Sequence, residues 1–488
     1  MQKTRSLWCA LMLLGLSGAE VHALNLNVTA PALVSGASSF TESCGGSVPG
    51  QVNYRNYEIE PYIAVNPAAP ENIVAAWQTD RWSWGGANGV STGVSHDGGR
   101  SWAQAPVPLL TTCTGGTTQR AGDPWLTWGP NGTLYLATLG MDADFSNSVL
   151  HVSVSHNDGD SWEPARTVYF NASPDNSADK QAITADPHDA NYAYLTFTRN
   201  EWAADTATPN FLNARSRQGS TWFTRTTDAG ATWEPARQLM SAGVHNTNIG
   251  HQIIVLPNGD LLNVYSRFAD YQNAQGARGA SIAFIRSVDK GGTWSAPSII
   301  TTFDPGYVSD PTTGQWVNTG GGLLDVAVDK QSGALYIVWS DMGFGPAPYG
   351  GGIVLIKSTD NGATWSTPKR INPVPTTPAF TPTVAVADNG DVAVTYYDFR
   401  NDTSDPEALQ TDYWALVSKD GGLNWTEGHV AGPFNLRNAP EPGAMVLFMG
   451  DYLKTTAAGN DFVAIFPMAN DDATNPTDIF FSRISVKP

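Results

Sequence analysis

The sequence predicts an all-β chain built from repeats, and three observations carry that expectation. A run of the form Ser/Thr-x-Asp-x-Gly-x-Ser/Thr/Asn-Trp occurs six times, beginning at Ser95, Ser155, Thr226, Ser287, Ser358 and Ser418. The spacings are 60, 71, 61, 71 and 60 residues, and self-similarity at a near-constant period is the signature of a repeat architecture. Between the copies lie short runs rich in β-branched and aromatic residues, bounded by Gly, Pro and Asn. Few stretches show helical periodicity, and charged residues are only 15% of the chain.

Each position of the repeated run has a physical reason. The Asp carboxylate accepts bonds from turn amides, the Gly two residues later supplies a conformation that a side chain resists, and the Trp opens the next strand. Only the second copy departs, with Asn157 in the Asp position, and Asn makes the same turn. Within each repeat the order is constant. In the first, 60–67 and 72–77 read as strands, 90–95 as a third, and a fourth follows the turn from Ser101. The same order recurs through the sixth repeat. A seventh unit over 449–485 has three strand-like runs and no repeated turn, and the segment NLNVTAPALV (25–34) is free to supply its missing strand. Such a closure would remove open sheet edges.

The N-terminus reads MQKTR, then an apolar stretch, then Val21-His22-Ala23, a secretory signal peptide cleaved after Ala23. The apolar run is too short to span a bilayer. The expected organisation is therefore a signal peptide over 1–23, an N-terminal arm over 24–50 and the repeat array over 51–488, in a secreted protein, extracellular or periplasmic. Cys9 falls in the removed peptide, and Cys44 with Cys113 is expected to form one disulfide. With 27 basic and 45 acidic residues the formal charge is −18, which disfavours nucleic acid and anionic membranes as general partners. The chain is expected to be a monomer.

The repeated run resembles the Asp-box, or bacterial neuraminidase repeat, of sialidases and other β-propellers. The resemblance covers nearly the whole mature chain and implies a sialidase-like β-propeller. Seven units give a seven-bladed propeller as the expected fold, with six blades plus an added C-terminal element as the alternative. The long connections, such as 78–89, 200–218, 268–278 and 399–411, are expected on the face opposite the repeated turns, and function with them.

Side chains at the starts of first strands and the ends of second strands then make a wide candidate set. It comprises Arg55, Glu58, Glu60, Asp80, Arg81, Trp82, Arg120, Asp123, Asp179, Lys180, Arg199, Glu201, His251, Tyr265, Arg267, Asp325, Asp341, Tyr396, Tyr397, Asp398, Arg400, Asp451 and Tyr452. From it, Glu58, Asp80, Glu201, His251, Tyr265 and Tyr397 are expected to be catalytic. Arg55, Arg81, Trp82, Arg199, Arg267 and Arg400 are expected to bind substrate. Arginines hold an acidic sugar, and carboxylates, His or Tyr move protons.

Against the sialidase pattern, the Arg-Ile-Pro motif is absent from YRNYEIEPYIAV. Asp80 and Arg81 loosely match an acid–arginine pair, and Gly250 stands where the pattern has Glu. Tyr396 or Tyr397 stands in for the nucleophile, provided a neighbouring base ionises it. Recurrence of Asp and Arg at strand ends (Asp80, Arg81, Asp341, Asp398, Arg400) fits structural bonds between sheets equally well.

The function expected is a sialidase-like glycoside hydrolase acting on an extracellular glycan. Alternatives are a polysaccharide lyase using His251, Tyr265 and Arg267, and a non-catalytic propeller binding a glycan or a protein. No cofactor is expected. The Asp-rich stretches 142–145 and 470–472 offer oxygen ligands of the kind calcium takes, without an EF-hand pattern.

Overall fold

The computed structural model describes residues 25–42, 44–201, 218–243, 246–269, 279–348, 350–440 and 446–487. The chain is all-β, and its larger sheets are built from antiparallel meanders. Among the described residues the strands form sheets of eight, eight, five, four, four and three, through which the chain runs as successive meanders, each called a unit below. The first comprises Ile59–Val65, Ile73–Arg81, Ala87–Ser95 and Ala103–Pro106; the second runs from Arg120–Trp128 to Arg166–Asn171. The next four span Asn176–Ala185 to Arg237–Met240, Thr247–Val255 to Ser298–Phe303, Leu324–Val328 to Lys369–Arg370, and Ala379–Val386 to Thr426–Asn435.

The last unit pairs Lys454–Ala458, Asp461–Ala469 and Thr477–Lys487, and its fourth strand comes from the other end of the chain. Asn25–Val28 runs antiparallel along it, with Asn25 opposite Lys487 and Val28 opposite Ile484, and Ala32–Leu33 continues opposite Phe481 and Phe480. Residues 1–23, expected from the sequence to be a signal peptide, lie outside the described residues.

The first strand of each unit touches the first strand of the next, and Lys454–Ala458 touches Ile59–Val65. Sheets packed side by side in this way bury both faces, so second strands such as IVAAWQTDR are buried almost throughout rather than alternating. The hydrophobic core is accordingly divided into clusters between neighbouring sheets. One joins the first unit to the last through Ile63, Ile73, Trp77, Val463, Ile465 and Phe481.

The repeated turns cement these clusters. In the first copy Asp97 accepts from the Arg100 and Ser101 amides, both at 3.0 Å, while Ser95 Oγ accepts from the Gly99 amide at 2.8 Å. Those donors hold the Asp97, Asp289, Asp360 and Asp420 carboxyls below the usual range. Gly99 has φ +90°, and a Cβ there would lie 2.2 Å from the Phe481 ring of the preceding unit. Trp102, Trp162, Trp233, Trp294, Trp365 and Trp425 each pack into the cluster between their own unit and the one before it. The seventh unit has no such turn. At its contact with the sixth, Leu26 and Val28 of the N-terminal strand pack instead.

Cys44 and Cys113 are joined in a disulfide with Cα atoms 5.2 Å apart, fastening the arm to the connection before the second unit. A small three-stranded sheet stands outside the units: Val308–Ser309, Trp316–Asn318 and Leu447–Phe448. It is built from the connections before the fifth and seventh units. The long connections 202–217 and 270–278 lie outside the described residues.

Candidate functional site

Five of the first strands share an irregularity. Their register slips where they start, and the residue at the slip has positive φ: Glu60 (+53°), Asp123 (+50°), Lys180 (+47°), Gly250 (+68°) and Thr381 (+48°). Side chains resist this region, at a cost on the order of 1–3 kcal/mol each, and such strain gathers at functional positions. The slip is a β-bulge, which re-aims a side chain at the end of a strand. Here it brings charged side chains of successive units together.

Lys180 is the centre of the cluster. Its Nζ lies 2.8 Å from Asp451 Oδ1, 3.3 Å from Asp123 Oδ2 and 3.8 Å from Glu60 Oε1. Gln78 donates to Glu60 Oε2, and also to Asp123 Oδ1 at 3.4 Å, while its own oxygen accepts from Arg81 at 2.9 Å. Gln181 donates to the Asp123 carbonyl. Asp179 precedes Lys180 and accepts from Asn200 at 3.4 Å. Tyr452 and Trp125 form the apolar floor, with ring centroids 6.0 Å apart.

Four carboxyls facing two cations cannot share one protonation state. Burial, with Asp123 and Asp451 nearby, pushes Glu60 well above the ordinary carboxyl range, although Lys180 opposes this. Asp451, despite its burial, is held below its usual value by Lys180 first and then by the neighbouring Glu60. Asp179 is pushed up to about 6, by burial first and then by Asp123 and Asp451. Lys180 is raised by its carboxylates, against the effect of burial, and stays charged.

The cluster separates two spaces. Above it is an open cleft bordered by Arg81, Trp84, Phe145, Asp179, Asn318 and Phe448. Beneath it is a narrower cavity lined by Trp125, His251, Leu323, Asp325, Pro382 and Tyr452. Asp123, Lys180 and Asp451 border both. Trp84 is 43% exposed and Tyr307 44%, and both stand at the cleft.

Of the residues expected to be catalytic or substrate-binding, Arg81 reaches the cleft, its guanidinium 5.0 Å from the Phe448 ring centre. His251 lines the lower cavity, buried, with its ring 4.9 Å from Tyr265; burial lowers it to about 3 and keeps it neutral. The others are spread through the fold. Asp80 is fully buried, accepting from Ser38, Asn56 and Asn88 and pairing with Arg55 at 2.7 Å, so this pair anchors the arm. Trp82 is buried under Arg120 and donates to Asn88.

Glu58 is buried beside Ser35 and Asp478, where the arm meets the last unit, and burial raises its carboxyl. Arg199 and Glu201 pair with each other at 3.3 Å beside the segment outside the described residues. Arg267 sits opposite Asn248 and Ser281 in its sheet. Tyr265 is buried with its hydroxyl 3.8 Å from Met240 Sδ and pushed up to about 12 by burial. Tyr397 is buried and donates to the Pro467 carbonyl at 2.8 Å. Arg400 bonds Asp398 and Glu427 over the Trp414 ring, 3.7 Å away. A Tyr–Glu pair does exist, Tyr396 with Glu427, but Tyr396 is fully buried and borders neither space.

The cluster that does converge, Glu60, Asp123, Asp179, Lys180 and Asp451, belongs to the wide candidate set. None of the five is among the residues expected to be catalytic or substrate-binding. The signal that would have found it is the shared place of Glu60, Asp123 and Lys180 at the start of successive first strands. As for calcium, no group of three or more His, Cys, Asp or Glu among the described residues is arranged to hold a metal. Asp142 and Asp472 instead bond Asn147 and Thr474 within their own turns.

No protein-family model matches the sequence, and no curated protein does. Among solved structures, the chain is similar to an α-L-arabinofuranosidase from Fusarium graminearum in complex with an iminosugar inhibitor. That likeness has 13% identity over 83% of this chain and 98% of that one, with a TM-score of 0.47. A Trypanosoma rangeli sialidase in complex with the inhibitor DANA gives 12% identity, 74% and 54% coverage and 0.42. The polysaccharide lyase Uly1 gives 11%, 70% and 74%, and 0.44. Similarity of this degree assigns neither activity nor substrate.

Proposed function

We propose that this chain is an exported, monomeric seven-bladed propeller that hydrolyses a glycan in the cleft above Lys180. The observation that carries the reading is a set of carboxyls with unlike proton affinities, held together at one open cleft with exposed aromatic rings beside it. Hydrolysis of a glycosidic bond requires one carboxyl that gives a proton and one that is ionised. Asp179 is the donor: it passes its proton to the leaving oxygen as the bond from that oxygen to the anomeric carbon breaks. Asp451 is the ionised partner, which attacks the anomeric carbon or takes a proton from the attacking water. Glu60 and Lys180 position Asp451, one as hydrogen-bond donor and one as counter-charge.

The charge at the cleft also bears on the substrate. Four carboxyls face Lys180 and Arg81, and Lys180 is already shared among three of them. That environment favours a neutral sugar over sialic acid or a uronate, contrary to what the arginine-rich choice suggested. The lyase alternative is disfavoured by the burial of His251 and Tyr265. Export is supported by the Cys44–Cys113 disulfide together with the N-terminal sequence. Among the described residues no helix is long and apolar enough to cross a membrane.

A second reading has one observation in its favour: the placing of Lys180 among three carboxyl groups also suits a structural pin in a glycan-binding propeller. Release of reducing sugar from a panel of arabinan, galactan, xylan, mannan and sialylated glycans decides between them. The hydrolase reading expects turnover of a neutral member and a loss of about 10²–10⁴-fold in kcat for Asp451→Asn, with the protein still folded. Binding without turnover would leave the binding module standing.

A further inference from the structure

The small three-stranded sheet is not part of any unit, and it faces the cleft. In Trp316–Asn318, alternate side chains share a face. Val317 is buried in the core between the sixth and seventh units, so Trp316 and Asn318 point the other way, and Asn318 borders the cleft. The neighbouring strand repeats the pattern in register. Leu447, opposite Val317, is buried in the same core, and Phe448, opposite Asn318, borders the cleft beneath Arg81.

Arg81, Phe448 and Asn318 thus border the cleft, and Trp316 follows on the same face of its strand. Trp316 lies two residues, about 6.7 Å, further along the strand than Asn318. It is 61% exposed, and its ring stacks near-parallel with Tyr307, centroids 6.5 Å apart and planes 29° from parallel. Tyr307 itself borders the cleft.

The platform is braced from below. Arg437 bonds the buried Asp310 carboxylate and Thr313, and the Asp310 amide holds the Gln315 carbonyl at 2.9 Å, closing the hairpin that carries Trp316. The flat, apolar face of a sugar ring stacks on an exposed aromatic surface fixed in this way.

We propose that the cleft-facing side of this sheet, with Trp316 and Tyr307 at its outer end, is a binding track for a neutral glycan chain. The bond broken lies at the Asp179–Asp451 cluster, and sugars several residues away rest on Trp316. The inference depends on the hydrolase reading only for which end of the track reacts. It makes the substrate a polymer or long oligomer rather than a short saccharide.

The test is Trp316→Ala, which removes an exposed ring and should leave the melting temperature unchanged. Leu423→Ala, at a solvent-exposed residue of a repeated turn, is the control. Two measurements are made on the wild type and both variants with arabinan, galactan, xylan and mannan: binding by affinity electrophoresis, and kcat/KM against oligomers of increasing length.

For Trp316→Ala the ratio of kcat/KM on polymer to that on the shortest substrate should fall about tenfold, a loss of the size one stacked ring confers. Polymer binding should weaken in step, and the control should match the wild type. Polymer binding that depends on Trp316 without any turnover supports the track while refuting hydrolysis. Turnover with no dependence on Trp316 at any length, an equal loss at all lengths, or no binding to any member of the panel overturns the track.

Discussion

Replacing Lys180 with Met tests whether the axial cluster is held by charge. The ammonium lies within 4 Å of Asp451, Asp123 and Glu60, and its side chain is 16% exposed. Removing one partner of such a pair leaves uncompensated buried charge, a loss of about 3–5 kcal/mol. For 488 residues the unfolding entropy is on the order of 1 kcal/mol per degree, so the melting temperature at pH 7 should fall by roughly 3–5 °C if the chain unfolds as one unit.

The effect has a pH signature. Without Lys180 the cluster's carboxyls have folded-state values above their unfolded ones, so the stability they contribute is present at acid pH and lost as pH rises. The deficit of Lys180→Met relative to wild type should therefore be largest near neutrality and shrink toward pH 4. Calorimetry or circular dichroism melts of both proteins across pH 4–8 measure it. An equal deficit at both ends would show that Lys180 acts through packing, and the electrostatic account of the site would fall with it.

Two further outcomes follow from the geometry. Because Asp179 must hold its proton to act as donor and is raised to about 6, kcat should decline as pH rises through about 6. Asp179→Asn should abolish that limb along with most activity, and a wild-type rate that is flat from pH 5 to 8 would remove Asp179 from the role. Gly99→Ala places a Cβ 2.2 Å from Phe481 at φ +90°, so denaturant unfolding should show a loss of roughly 2–4 kcal/mol, whereas an unchanged midpoint would contradict the packing of the turn on the preceding sheet.

The repeated turns, the order of strands within each unit, the free N-terminal segment and the two remaining cysteines are all legible in the sequence because each rests on local chemistry. An Asp that must accept turn amides, a Gly that must take positive φ and a Trp that must be buried leave their pattern wherever the unit recurs. Asn25–Val28 could be singled out because the last unit lacks a strand of its own.

What tertiary structure alone decided is which charged residues meet. Asp80, Arg400 and Arg81 occupy like places at the ends of second strands. Yet Asp80 is turned into the arm and Arg400 onto Trp414, while Arg81 reaches the cleft. Glu60, Asp123 and Lys180 meet because bulges rotate the starts of three separate strands toward one axis, and a bulge is a matter of register between strands. Asp451 joins them from the far end of the chain, 271 residues beyond Lys180. The face of Trp316 depends likewise on the pairing of two connections that are distant in sequence. Local chemistry writes the repeat into the sequence, but the site is assembled from long-range register and from contacts between strands far apart in the chain, which only the folded chain displays.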